Sequence, residues 1–132
     1  MAKDERLYAR PINADDFPYS NERHYPAFVY LIWWPTDNGI VAKAGISRTT
    51  RRWRHFLGRG GQLSGLWQAE QWNALESRLH GLLAEVGALA FDSRAEGLPL
   101  LGSVGGHTEC YRLLSADAES HLSRIALEAT HG

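Results

Sequence analysis

Three side chains of different chemistry, at positions 30, 52 and 76, are of the kinds that together hydrolyse phosphodiesters. Tyr30 carries a phenol, Arg52 a guanidinium and Glu76 a carboxylate. Cutting a phosphodiester needs a group that activates water, a cation beside the scissile phosphate and stabilisation of the leaving oxygen. A guanidinium binds phosphate oxygens bidentately, and a carboxylate holds a hard cation such as Mg²⁺. We expect basic neighbours to lower the pKa of Tyr30 towards a working value.

Each of these residues also has an ordinary structural interpretation, which the sequence leaves open. Tyr30 lies in an aromatic and β-branched run, so it is equally typical of a strand residue packed in the core. Glu76 lies in a helical pattern, where a solvent-facing acid is common. One carboxylate is also a sparse set of metal ligands.

The distribution of charge favours a polyanionic partner. No acidic residue occurs between Asp37 and Glu70, whereas this window holds six of the 14 lysines and arginines of the chain. The six are Lys43, Arg48, Arg51, Arg52, Arg54 and Arg59. Because the formal net charge is only −1, the compensating acids lie elsewhere and one face should be positive. Such a face attracts the phosphate backbone of DNA without reading its sequence.

Trp53, His55 and Phe56 are interleaved with these arginines. Aromatic rings beside a basic groove stack on unpaired bases. The alternative is that Trp53 and Phe56 point into the core while the arginines form a solvated helix face. Both interpretations stay open at the level of the sequence.

The hydrophobic pattern predicts an α/β fold with a small, mainly antiparallel, three-stranded sheet flanked by helices. An aromatic run, an Asn-Gly turn and a second apolar run predict a β-hairpin. Gly45, inside the second run, permits a bulge or a close approach by another group. The predicted order is β-β-α-α-β-α: strands over 28–34 and 40–47, helices over 51–57 and 67–86, a loop over 92–107, a strand over 108–113, and a helix over 116–129 capped by Ser115.

A chain of 132 residues is most simply one domain. Residues 1–27, broken by three prolines, predict a partly irregular N-terminal arm that either packs through its aromatics or forms a flexible tail. The single cysteine, Cys110, indicates a reducing compartment. No secretory signal and no apolar run of membrane-spanning length are present, so we expect a cytoplasmic protein that does not bind a membrane.

Other chemistries are not supported by the spacing of residues. The six histidines show no His-x-x-x-His spacing and the chain has no Cys-x-x-Cys, so a zinc site is not predicted. No Walker, dinucleotide-binding or Gly-x-Ser-x-Gly motif occurs, and we expect no small-molecule cofactor.

The order of these segments resembles the GIY-YIG nuclease superfamily. Phe28-Val29-Tyr30 and Lys43-Ala44-Gly45 stand where that family has its two strand motifs. Arg51-Arg52-Trp53 looks like its helical arginine, and the segment 74–80 (ALESRLH) looks like the helix of its metal-binding glutamate. The segment 106–113 (GHTECYRL) is similar to a strand of a small, often phage-associated branch in which lysine replaces the second tyrosine. The resemblance covers about residues 28–115, and with it 28–132 becomes one GIY-YIG-like domain.

The resemblance implies a function and roles for the residues. Tyr30 would be the general base or would position the water, with Lys43 supporting it. Arg52 would hold the scissile phosphate, although Arg51, four residues before His55, competes for that role. Glu76 would bind one Mg²⁺ (or Mn²⁺) per site, and the products would carry a 5′-phosphate and a 3′-hydroxyl.

The remaining expectations concern binding and support. Arg48, Arg51, Arg54, His55 and Arg59 are the expected nucleic-acid-binding residues, and His107 or Glu109 is expected to support the metal site. We therefore expect a divalent-metal-dependent DNA endonuclease, phage- or mobile-element-borne, that cuts one strand per site. The alternative is a catalytically inactive nucleic-acid-binding or protein-interaction module on the same scaffold. The oligomeric state is not readable from the sequence.

Overall fold

The structure is a computed structural model that describes residues 8–114 and 116–131. These residues form an α/β fold, a six-stranded antiparallel sheet with four α-helices. The strands are β1 (Ala9–Pro11), β2 (Phe28–Thr36), β3 (Gly39–Ser47), β4 (Gln62–Ala69), β5 (Ala88–Leu89) and β6 (Cys110–Leu113). The helices are α1 (Arg51–Gly58), α2 (Trp72–Val86), α3 (Arg94–Leu101) and α4 (Ala118–His131). The strand order is β1-β4-β2-β3-β6-β5.

The β2–β3 hairpin confirms the prediction for the most aromatic part of the chain. Pairing is regular from Phe28 opposite Ser47 to Thr36 opposite Gly39. Gly39 has a φ of +96°, which the Asn-Gly turn accommodates because glycine carries no Cβ. The register places Tyr30 opposite Gly45 and Ile32 opposite Lys43, so these side chains share one face of the sheet.

Each face of the sheet carries its own core. On one face, aromatic residues of β2 pack against Trp53 and Phe56 of α1 and against Leu101 of α3. On the other face, Val29 and Leu31 pack with the buried sides of α2 and α4. Trp53 and Phe56 are fully buried, so the core interpretation of these two aromatics is correct and stacking on bases is excluded. The two layers of helices therefore lie on opposite sides of β2 and β3.

The sheet has six strands, so the prediction of three was wrong. The largest omission is β4, which pairs antiparallel with β2 and β1 where the predicted order has only the gap between two helices and the start of the second. Position 65 of this strand must be glycine, because the Trp67 indole lies over it and leaves no room for a Cβ. In the sequence, the glycines of this segment are typical of a loop, although the packing of Trp67 requires the glycine at position 65. The helix α2 consequently begins at Trp72 rather than at Trp67, and it ends at Val86 before Gly87 as expected.

The region 92–107 is not the loop that we expected, because it contains α3. Ser93 caps this helix: its Oγ accepts a hydrogen bond from the Glu96 amide at 3.3 Å. The Glu96 carboxylate in turn accepts one from the Asp92 amide at 3.0 Å. The Ser-x-x-Glu pattern is a helix-start signal, but Gly97 and Pro99 inside the helix obscured it.

Residues 8–27 pack on the domain. β1 extends the sheet beside β4, and Phe17 makes an edge contact with Phe28 at 5.3 Å between ring centroids. The Thr50 hydroxyl donates to the Pro18 carbonyl at 2.9 Å. It also accepts from the Ser20 amide at 2.8 Å. The start of α1 therefore holds the arm in place.

The last two elements follow the prediction within two residues. β6 covers Cys110–Leu113 and α4 covers Ala118–His131, while the expected cap Ser115 lies outside the described residues. None of the helices in the described part of the chain is long and apolar enough to cross a membrane.

Gly45 is a position in the hairpin where a side chain would collide with a buried neighbour. A Cβ at this residue would collide with the Tyr30 hydroxyl, so we expect Gly45→Ala to lower the free energy of unfolding by about 1–3 kcal/mol.

Gly81, in the middle of α2, has open space around its Cα. We expect Gly81→Ala to raise the free energy of unfolding by about 0.5–1 kcal/mol through helix propensity. Urea denaturation followed by circular dichroism measures both changes. Equal stability of the two variants would contradict the tight packing of Tyr30 on Gly45.

Candidate functional site

Tyr30 lies in the aromatic core rather than at the surface. Its side chain is 1% exposed and packs beside Phe56, with ring centroids 6.2 Å apart. Burial raises the pKa of the phenol well above its ordinary value, and the nearby positive charge of Arg52 offsets this only in part. The carboxylates of Glu109 and Glu76 raise the pKa of Tyr30 further. Our expectation of a lowered pKa was therefore wrong, and the phenol is protonated at neutral pH.

The protonated phenol is still suited to positioning a water or a phosphate oxygen. Its hydroxyl lies over Gly45, where an added Cβ would collide with it. A neutral phenol both donates and accepts hydrogen bonds. Of the two roles that the resemblance implies for Tyr30, positioning is the one that its electrostatic surroundings favour.

Lys43 is fully buried, and its ammonium forms an ion pair with Glu109. The Nζ–Oε1 distance is 2.9 Å, and the same Nζ lies 5.6 Å from the centroid of the Tyr30 ring. Gly106 lies against the end of this side chain, where a Cβ would approach Nζ to 2.8 Å. A buried ammonium needs such a partner because desolvation of an unpaired charge is costly. Lys43 therefore fixes the position of Glu109.

Glu76, His80 and Glu109 come together as a cluster of possible metal ligands. One ligand atom from each lies within 4.8 Å of the others, and all three side chains are partly buried. Glu109 directly precedes Cys110, whose pairing with Lys43 is the last of the β3–β6 ladder. Glu76 and His80 reach this point from α2. Two carboxylates and an imidazole are a donor set that suits a divalent cation.

The electrostatics of this cluster keep Glu76 ionised. Its pKa is lowered from the ordinary value of 4.5, mainly by the His80 imidazole and further by Glu109 and Lys43, while partial burial acts in the opposite direction. The His80 Nε2 to Glu76 Oε2 distance is 3.8 Å, which is too long for a well-formed hydrogen bond. On its other side, His80 Nδ1 lies 3.1 Å from the Tyr111 hydroxyl.

Three arginines of the basic run hydrogen-bond to backbone carbonyls, and two of these three also line a cleft. Arg48 donates to the His24 carbonyl, Arg54 to the carbonyls of Ala14 and Phe17, and Arg59 to three carbonyls at the end of α3. These three guanidiniums therefore have structural partners. No arginine of the run forms an ion pair with a carboxylate in the described part of the chain.

A cleft of about 690 Å³ lies along the exposed side of α1. Its lining contains no carboxylate and includes Tyr19, Arg51, Arg52, Arg54, His55 and Arg59. The Arg51 Nε donates to the Tyr19 hydroxyl at 3.1 Å, and His55 Nε2 lies 2.9 Å from the Leu101 carbonyl. The positive face expected from the sequence is thus a concave surface, and its binding of phosphate stays a prediction.

Arg52 connects the cleft with the buried phenol. It lines the cleft, and its charge acts on Tyr30. Its Nε is buried without a hydrogen-bond partner, and its Nη2 reaches the Val104 carbonyl only at 3.4 Å. A buried donor without a partner is a ready site for an anion oxygen. Arg51 and Arg52 are the two candidates for binding the scissile phosphate. Arg52 has a buried N–H donor without a partner, whereas Arg51 is exposed.

The structure brings together five of the residues singled out in the sequence, which are Tyr30, Lys43, Arg52, Glu76 and Glu109. His107 belongs to the same turn as Glu109 but not to the ligand cluster. Sequence reasoning missed His80 and Tyr111. The signal for His80 was its spacing of four residues from Glu76, which places both on one helix face.

No protein-family model, curated protein or solved structure matches this chain. The resemblance to GIY-YIG nucleases rests on the five sequence segments alone.

We expect the lowered pKa of Glu76 to appear in a carboxyl-carbon NMR titration of metal-free protein. Its midpoint should fall below 4.5, and His80→Gln should move it upward because the imidazole is the main cause of the shift. A lowered pKa stabilises the fold above the ordinary value, and this stabilisation is lost as the pH falls through the folded-state pKa. The stability difference between wild type and Glu76→Gln should therefore shrink on acidification below about pH 4.5. An unchanged midpoint in His80→Gln would contradict the assigned cause.

Proposed function

We propose that this chain is a divalent-metal-dependent DNA endonuclease that hydrolyses one strand per site. The observation that carries the proposal is electrostatic. Arg52, Glu109 and Glu76, from three separate parts of the chain, all act on the Tyr30 phenol. Phosphodiester hydrolysis needs this combination of a phosphate-binding cation, metal-binding carboxylates and a water-positioning group. The five segments that resemble the GIY-YIG superfamily support the same reaction class.

Each residue of the site has a separate role in the proposed hydrolysis. The cleft arginines attract the phosphate backbone, and Arg52 donates hydrogen bonds to the non-bridging oxygens of the scissile phosphate. The Tyr30 hydroxyl orients the attacking water by a hydrogen bond. A divalent cation, Mg²⁺ or Mn²⁺, held by the Glu76 carboxylate would supply charge stabilisation at the phosphate. The water oxygen bonds to phosphorus as the bond to the 3′-oxygen breaks. One water proton passes to the solvent and the departing 3′-oxygen takes a proton from the solvent, which gives a 5′-phosphate and a 3′-hydroxyl.

A catalytically inactive nucleic-acid-binding module is the second candidate. The raised pKa of Tyr30 favours it, because a phenol that stays protonated is a poor general base. The arginine cleft serves both candidates equally. The two differ in whether a bound strand is cut.

A plasmid-nicking assay separates the two candidates. We expect the wild-type chain to nick supercoiled DNA only when a divalent cation is added. Glu76→Gln should reduce the rate by about 10²–10³-fold, since it removes a charged ligand needed in the transition state. Tyr30→Phe, which keeps the ring and its packing, should reduce the rate through loss of the hydroxyl.

Glu85→Gln is the matched control, because Glu85 is exposed on the same helix and its loss should leave the rate unchanged. Cutting that survives in both Glu76→Gln and Tyr30→Phe would overturn the assigned site. DNA binding without any cutting by the wild type would establish the inactive module instead.

The arginine cleft predicts a salt dependence of DNA binding. Arg51 is exposed in the cleft, so Arg51→Gln should weaken binding to all duplex sequences alike and reduce the slope of log K against log [salt] by about 1. Fluorescence anisotropy of a labelled duplex in EDTA measures this slope without cleavage. Arg124→Gln, which removes an exposed arginine of α4 paired with Glu128, is the control and should leave the slope unchanged. Equal effects of the two substitutions would argue against binding through this cleft.

A further inference from the structure

We propose that Glu76, His80 and Glu109 form a three-ligand site for a first-row transition-metal ion, Mn²⁺ or Zn²⁺, and bind it in preference to Mg²⁺. The inference deepens the proposed function, on which it rests for the reaction that the ion serves. The ligand set itself follows from the geometry of the described residues.

The three donors converge from two parts of the fold. Glu76 and His80 are four residues apart on α2 and lie on the same helix face. Glu109 comes from the 3-10 turn His107–Glu109 that leads into β6. Ligand atoms within 4.8 Å of one another enclose an ion after small side-chain rotations, because metal–ligand bonds are about 2.0–2.2 Å long.

The orientation of His80 is fixed by a hydrogen bond on the side away from the cluster. Its Nδ1 lies 3.1 Å from the Tyr111 hydroxyl, while its Nε2 faces Glu76. In the tautomer that carries the proton on Nδ1, this N–H donates a hydrogen bond to the hydroxyl, and Nε2 keeps its lone pair for a metal. Histidine ligands in proteins are typically held in this way by an oxygen on the other ring nitrogen.

Glu109 is held by a second supporting contact. The buried Lys43 ammonium binds its Oε1 at 2.9 Å, and the carboxylate keeps further lone pairs for a metal ion. Lys43 also compensates one of the two carboxylate charges. The Glu76 and Glu109 carboxylates and the Lys43 ammonium together carry a net charge of −1, which a divalent cation binds favourably.

The imidazole is what distinguishes this site from a magnesium site. Mg²⁺ is bound in proteins by oxygen ligands and waters, whereas transition-metal ions also accept an imidazole nitrogen, Zn²⁺ more strongly than Mn²⁺. A site built on Glu76 alone would show no such preference. The preference is therefore assigned to His80 and, through it, to Tyr111.

Metal binding is measured directly, without DNA. The full-length protein is stripped with EDTA and titrated with Mn²⁺, and the free ion is followed by electron paramagnetic resonance with Mg²⁺ in large excess. Zn²⁺ is titrated by calorimetry. We expect one ion per chain that excess Mg²⁺ does not displace.

Substitutions identify the ligands. His80→Gln should lower the Mn²⁺ affinity by about 10–100-fold, and Tyr111→Phe should lower it by about tenfold through loss of orientation. His121→Gln and Glu85→Gln, which alter residues outside the cluster, should bind Mn²⁺ as the wild type does. Circular dichroism of each variant excludes loss of folding as the cause. Displacement of Mn²⁺ by the excess Mg²⁺, or unchanged Mn²⁺ affinity in His80→Gln, would overturn the proposal.

Failure of this inference and failure of the proposed function give different results. Binding of Mn²⁺ that depends on His80, with no nicking of DNA by the wild type, would leave the metal site standing and remove the nuclease. Nicking supported by Mg²⁺ at the wild-type rate in His80→Gln would leave the nuclease standing and remove the three-ligand metal site.

Discussion

The ion pair between Lys43 and Glu109 is the interaction on which the candidate site depends. Lys43 has no exposed surface, whereas about a third of the Glu109 side chain is exposed, and the two atoms are 2.9 Å apart. An ammonium in such surroundings requires a compensating charge. The strand β3 therefore dictates where the turn before β6 presents its carboxylate. That carboxylate also takes part in the ligand cluster and acts on the Tyr30 phenol.

The position of this pair also explains how a site can draw on both faces of one sheet. Tyr30 and Arg52 belong to the face covered by α1 and α3, whereas Glu76 belongs to the helix layer on the opposite face. A continuous sheet would keep these groups apart. The β3–β6 ladder stops at Lys43, and Glu109 stands directly beyond this last pair. The charges of both layers meet there.

Local signals predicted part of the fold. The hairpin and α1 were predicted within two residues at each end, because an aromatic run, an Asn-Gly turn and a glycine stop are readable without knowledge of distant contacts. The strand β4 was missed because its glycine is typical of a loop. Gly65 is needed there because the Trp67 indole packs over it, and such a packing contact is not readable from the sequence. The helix α3 was missed because Gly97 and Pro99 outweighed the Ser-x-x-Glu cap.

The candidate site shows the same division. Tyr30, Arg52 and Glu76 could be selected by chemical type and order along the chain. The raised pKa of Tyr30 could not be foreseen, since it depends on burial. The pairing of Lys43 with Glu109 joins residues 66 positions apart, and no pattern in the sequence reports such a contact.

The outermost strands of the sheet are very short, with three residues in β1 and two in β5. Such edges offer few free backbone groups to an incoming strand, and β1 also ends in a proline. Addition of a strand from another molecule to β1 or β5 themselves is therefore disfavoured. Two copies of the domain that cut opposite strands of a duplex would then meet elsewhere than at these two short strands.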